Sequence, residues 1–126
     1  MIKLINTNKG HQPIGPYSQA AVANGFVFVS GTAGVNPKTG KLAKGIAKQT
    51  QQAFVNINEV LLSAGSSLSQ AVKVTIFLTD MKNFQEMNLT YKKIFNKQLP
   101  ARTTVAVSEL AKSGALIVVE LIALVK

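Results

Sequence analysis

Arg102 is the single arginine among the chain's 14 lysines and arginines. A guanidinium presents a planar fork of donors that grips a carboxylate through two parallel hydrogen bonds, a geometry lysine cannot copy. Arg102 follows Leu99-Pro100-Ala101 and opens an extended run, with Thr104 two residues on and so on the same side of a strand. Its natural alternative partner is Glu120, an acid isolated in an apolar stretch. Spacing alone leaves both roles open, ligand clamp or internal ion pair. Tyr17, after Ile14-Gly15-Pro16, offers a hydroxyl, or else an amphipathic edge to the core. Ser30-Gly31 ends an apolar run, where glycine lets a backbone N–H approach a ligand, or simply closes a strand. Asn88 sits inside a helical pattern, a mildly unfavourable place that asks for a partner.

Other chemistries are excluded by composition. There is no cysteine, and His11 is the only histidine, so no thiolate site, zinc cluster or Ser-His triad can be assembled. No G-x-G-x-x-G or P-loop pattern occurs, and the five acids form no carboxylate pair. No metal or organic cofactor is expected. The net charge of +9 is compatible with nucleic acid. The lysines are scattered, however, with only Lys92-Lys93 adjacent and no interleaved stacking motif, which favours a solvated basic surface.

The elements that must position these residues fit one domain over residues 1–126. Ile2 to Asn6 reads as a short edge strand, and Gly10 to Pro16 as a loop. Tyr17 to Ala23 and Phe26 to Ser30 read as strands joined at Asn24-Gly25, a strong hairpin signal. After a loop from Gly31 to Gly45, Ala47 to Ala64 has helical periodicity through Phe54, Ile57 and Leu61, with Gly65 placed to cap it. Val72 to Thr79 alternates as a strand. A second helix begins near Asn83, with Glu86 as a capping-box partner and Phe84, Met87, Tyr91 and Phe95 as its apolar stripe. Thr103 to Val107 and Ala115 to Val125 are the last strands. The order predicts an α+β fold, a mixed sheet with two helices packed on one face. Ala115 to Val125 is apolar at odd and even positions alike, which predicts burial on both faces. No third helix exists to cover the far face, so other subunits are expected to. Nothing resembles a signal peptide or a membrane span, and a soluble cytoplasmic protein is expected.

In order and spacing, several segments together resemble the Rid family, also called YjgF or L-PSP. They include Ile14-Gly15-Pro16-Tyr17-Ser18-Gln19-Ala20, Ser30-Gly31, Asn36-Pro37-Lys38-Thr39-Gly40 and Val72 to Asp80. The match continues through Asn88 with Tyr91, Pro100-Ala101-Arg102-Thr103-Thr104 and Glu120-Leu121-Ile122-Ala123. The resemblance implies a chorismate-mutase-like fold and a homotrimer with pockets between subunits. It implies hydrolysis of reactive enamines and imines, such as 2-aminoacrylate or 2-iminobutanoate, to 2-keto acids and ammonia. By the same resemblance Arg102 would clamp the substrate carboxylate, and Tyr17, Ser30, Gly31, Asn88 and Thr104 would line the pocket or hold water. Arg102, Tyr17 and Glu120 are the candidates nearest the chemistry.

The chain departs from the family at one telling place. The family pattern has two acids, Glu-x-Glu, and the first is associated with activating water. Anchored on Ile122-Ala123, Glu120 matches the second acid and Val118 stands at the first. Alternate strand positions lie roughly 6.6 Å apart, so Glu120 cannot simply replace the missing base. The family's Gln after Ser-Gly is Thr32 here. Three readings follow: an imine deaminase, a carboxylate-binding regulatory trimer without turnover, and an RNA-directed protein of the endoribonuclease or translation-inhibitor type. The third rests on charge alone.

Overall fold

A computed structural model describes all residues, 1–126. In chain order the elements are β1 (Lys3–Ile5), β2 (Ala20–Ala23), β3 (Phe26–Ala33), α1 (Gly45–Ser63), β4 (Ala71–Leu78), α2 (Phe84–Phe95), β5 (Ala101–Ala106) and β6 (Ile117–Leu124). The six strands form one sheet in the order β1-β2-β3-β6-β4-β5. Every pairing is antiparallel except β4 with β5. The fold is therefore the expected α+β arrangement with a mixed sheet.

Local chemistry explains the elements. Asn24 and Gly25 take φ of 51° and 79°, turning β2 into β3 as a two-residue hairpin loop. At the end of α1, Gly65 adopts φ 77°. The Gly65 N–H then donates to Leu62 O and the Ser66 N–H to Leu61 O, closing the helix in a Schellman motif. Val74, Ile76 and Leu78 of β4 are fully buried, while Lys73, Thr75 and Phe77 on the alternate face are half-buried. Phe54 of α1 meets Tyr91 and Phe95 of α2 edge-on, at 5.7 and 5.4 Å between ring centroids. These side chains join those of β3, β4 and β6 in a single core, so both helices lie on one face.

Three expectations need correction. Tyr17 lies in a loop, because β2 begins only at Ala20. β3 runs past Ser30 to Ala33, because a bulge lets the strand continue: Val29 faces Leu121 and Thr32 faces Val119, three steps against two. The Asn83–Glu86 capping box does not form. Asp80 instead accepts from the Lys82 N–H at 2.9 Å, capping a short 3₁₀ turn that feeds α2, and Glu86 is exposed. β6 buries one face within the chain and leaves the other for whatever covers the far side of the sheet. Ile117, Val119, Leu121 and Ala123 are buried against the helices, whereas Val118 and Ile122 are half-buried and Leu124 is exposed. With Phe26 and Phe28, also exposed, they give the far face an apolar surface.

Candidate functional site

The candidate residues fall into two groups on opposite faces of the sheet. Register decides which. Arg102 and Thr104 pair with Val74 and Ile76, the residues of β4 that point to the helices. Glu120 pairs with Thr75, which points to the open face.

On the helix side, Arg102 is half-buried at the edge of the sheet. Its Nη2 donates to Asn88 Oδ1 at 2.7 Å. Its guanidinium carbon sits 4.6 Å from the centre of the Tyr91 ring and 5.8 Å from that of Phe84. α2 thus provides both a stacking platform and a neutral anchor, fixing the guanidinium plane without consuming its charge. The ion pair with Glu120, one of the two roles left open by spacing, does not form. Burial raises the Tyr91 phenol above the usual tyrosine range, and the nearby Arg102 charge opposes part of that rise. The Tyr91 hydroxyl and the Thr104 Oγ1 are both buried without a hydrogen-bond partner in the chain. Unpaired buried hydroxyls carry a desolvation cost that a polar ligand or water would relieve.

On the open face, the β3 bulge sets Ser30 and Gly31 opposite Glu120. The Ser30 hydroxyl donates to Ser18 O at 2.7 Å, leaving its lone pairs as the free capacity of that oxygen. The Tyr17 hydroxyl accepts from the Ile14 N–H at 3.3 Å, folding the loop back on itself. A cavity of about 450 Å³ opens here, lined by His11, Tyr17, Ser30, Gly31, Val118 and Glu120 among others. A larger one of about 680 Å³ adjoins it, sharing Tyr17, Ser30 and Glu120 and adding Lys73 and Thr75. Lys73 Nζ is held by Thr103 Oγ1 at 2.6 Å.

One chain therefore brings together Tyr17, Ser30, Gly31 and Glu120, and separately Arg102, Asn88 and Thr104, but not the two sets. Sequence reasoning also missed supporting residues. Gln19 is buried and clamps the first loop: its Oε1 accepts from the Thr7 N–H at 2.6 Å, and its Nε2 donates to Thr7 O at 3.1 Å and His11 O at 2.8 Å. Its polar character just before an apolar strand was the available signal. Tyr91 was legible as core but not as the platform beneath Arg102. His11 lines the cavity beside Val118, which sequence spacing could not show.

Comparison with known proteins places this geometry in context. The family model described as Endoribonuclease L-PSP matches residues 7–125. A RutC family protein of Pyrococcus horikoshii is 45% identical over 98% of this chain and 98% of its own. A 2-iminobutanoate/2-iminopropanoate deaminase of Bos taurus is 39% identical over 89% of this chain and 82% of its own. Among solved structures, YyfA of Yersinia pestis, described as a protein of the conserved Rid family, superposes with a TM-score of 0.94 at 43% identity, covering 99% of this chain and 100% of that one.

Proposed function

The chain belongs to the L-PSP family, whose members also carry the Rid and RutC names, and on that premise we propose that it hydrolyses small 2-imino acids to 2-keto acids and ammonia. The observation that carries the reading is Arg102, whose hydrogen-bond partner is a neutral amide and whose charge is left for an incoming carboxylate. Deaminase relatives at about this level of identity support the reaction class.

The split site supports assembly. Arg102 stands on β5, the outermost strand, whose free edge can abut the open face of another copy. Head-to-tail contact of this kind closes into a ring when the rotation between copies is a whole fraction of a turn. A homotrimer of chorismate-mutase-like architecture would set the Arg102 group of each copy against the next copy's cavity, giving pockets between subunits. Burying Phe26, Phe28 and Leu124 there would remove exposed apolar area from water.

Within such a pocket Arg102, oriented by Asn88 and Tyr91, holds the substrate carboxylate. Tyr17, Ser30, the Gly31 backbone and Thr104 position the C=N carbon and a water. Imines are intrinsically reactive, so positioning supplies much of the rate. Val118, in the cavity wall, keeps a second reading in play: a trimer that binds 2-keto acids without turning imines over.

A coupled assay separates the two. A pyridoxal-phosphate dehydratase generates the imine from serine or threonine, and ammonia release is followed with and without the protein. Release above the no-protein rate supports hydrolysis. Equality with it, together with saturable 2-ketobutyrate binding, supports the binding reading.

A further inference from the structure

We propose that His11 is the proton-transfer residue of the 450 Å³ cavity, acting as general base toward the water that attacks the imine. The proposal rests on the imine-hydrolysing reading above and assigns the step that reading leaves without a residue. The cavity wall carries four groups able to exchange protons: His11, Tyr17, Lys112 and Glu120. Of these side-chain types only imidazole has ordinary basicity near neutral pH, where a general base works best. Glu120 is exposed and is shared with the adjoining cavity, which Lys73 also lines. Lys112 contributes a positive charge rather than a base.

Placement supports the role. His11 is half-buried, and its carbonyl is held by the buried Gln19 amide at 2.8 Å, so the loop that carries it is tied to the start of β2. It lines the same cavity as Tyr17, Ser30, Gly31 and Val118. Val118 gives that wall a hydrocarbon surface with no proton acceptor of its own. Burial lowers the His11 pKa from 6.5, and the positive charge of Lys112 lowers it further, so the ring is neutral at pH 7. Tyr17 on its own loop and Glu120 on β6 are the other titratable groups of the cavity.

The step balances without a cofactor. Water adds to the carbon of the protonated imine, a C–O bond forms, the C=N π pair moves to nitrogen, and His11 takes the proton released by the water. The imidazolium returns that proton to the amine nitrogen. The C–N bond then breaks and ammonia leaves. As the carbonyl forms, its hydroxyl proton passes to His11 and on to ammonia.

The test compares wild type with His11→Gln and His11→Asn in the dehydratase-coupled assay, subtracting the no-protein rate at each pH. The expected result is a loss of at least about a hundredfold in turnover, with 2-ketobutyrate affinity within about twofold of wild type in the same preparations. Wild-type kcat/KM should show an acid limb displaced to lower pH than an ordinary imidazole would give, because burial and Lys112 lower the His11 pKa, and that limb should vanish in both variants. Turnover equal to wild type, or an unchanged acid limb, overturns the role of His11 and leaves hydrolysis standing. A wild-type rate equal to the no-protein rate overturns both.

Discussion

Arg102 and Glu120 lie on opposite faces of the same sheet, because their partners on β4 are the adjacent residues Val74 and Thr75. The arginine and the cavity acid could therefore meet around one ligand only if two copies contribute. That separation is the source of the first prediction.

Mixing two defective variants should rebuild sites. Arg102→Ala removes the clamp, and Val118→Trp fills the cavity from the other face. Each alone should show no 2-ketobutyrate sites of wild-type affinity. Co-refolded at equal amounts, the mixture should recover about one quarter of the wild-type sites, since each interface needs an intact edge from one copy and an intact cavity from the next. Calorimetric titration reads the stoichiometry. Zero recovery in a mixture shown to be hybrid would mean the two faces do not combine.

The clamp should depend on shape as well as charge. Arg102→Lys keeps the cation but loses the fork, and Arg102→Ala loses both. Both should weaken 2-ketobutyrate binding by about 10- to 100-fold, with lysine recovering little. Asn88→Ala, which frees the guanidinium to rotate, should cost less, about three- to tenfold. Dissociation constants measured side by side decide the order.

Asn56 should matter to stability though it touches no candidate site residue. It is fully buried, and its Nδ2 donates to Ala33 O at 3.2 Å and Val35 O at 2.7 Å, tying α1 to the end of β3. Asn56→Ala leaves buried carbonyls unpaired and should destabilise by about 2–4 kcal/mol. Urea denaturation measures this; a loss below about 0.5 kcal/mol would show that the strap is held by other contacts.

Tyr91 should titrate late. Burial lifts its folded-state pKa above the 10.0 of an ordinary tyrosine, so the protonated phenol favours the folded state and that contribution is lost as pH rises through the raised value. Arg102→Met keeps the cover and removes the charge, so it should push the phenol further up. Absorbance titration near 295 nm in the Tyr17→Phe background isolates Tyr91; a downward move would mean the cation does not act on the ring.

Much of the fold was legible because its signals are local. Asn24-Gly25 marked the hairpin, Gly65 marked the end of α1, and alternation along β4 marked its buried face. The misplaced capping box shows the limit: Asp80 competed for the same helix start three residues earlier, with a side chain equally suited to it. For the site, residue types were readable and faces were not. Which side of the sheet Arg102 occupies depends on the register of β5 against β4, a long-range pairing that no local pattern encodes. His11 was set aside as a histidine without partners, since its neighbours in the cavity come from residues 14 to 33 and 110 to 120.

The extra residue in β3 makes that strand count differently on its two sides. From Phe26 to Val29 it keeps step with β6 one for one, and from Thr32 it does so again, offset by one. Side-chain swaps at Ser30 or Gly31 leave this offset alone, whereas removing either residue would erase it. The two ladders would then merge into one flat register, and the kink that aims this stretch at Glu120 would straighten. This wall is thus constrained in length and also in size at one point: a Cβ at Gly31 would meet Val118 Cγ1 at 3.0 Å, while losing a residue would remove the offset that shapes the wall.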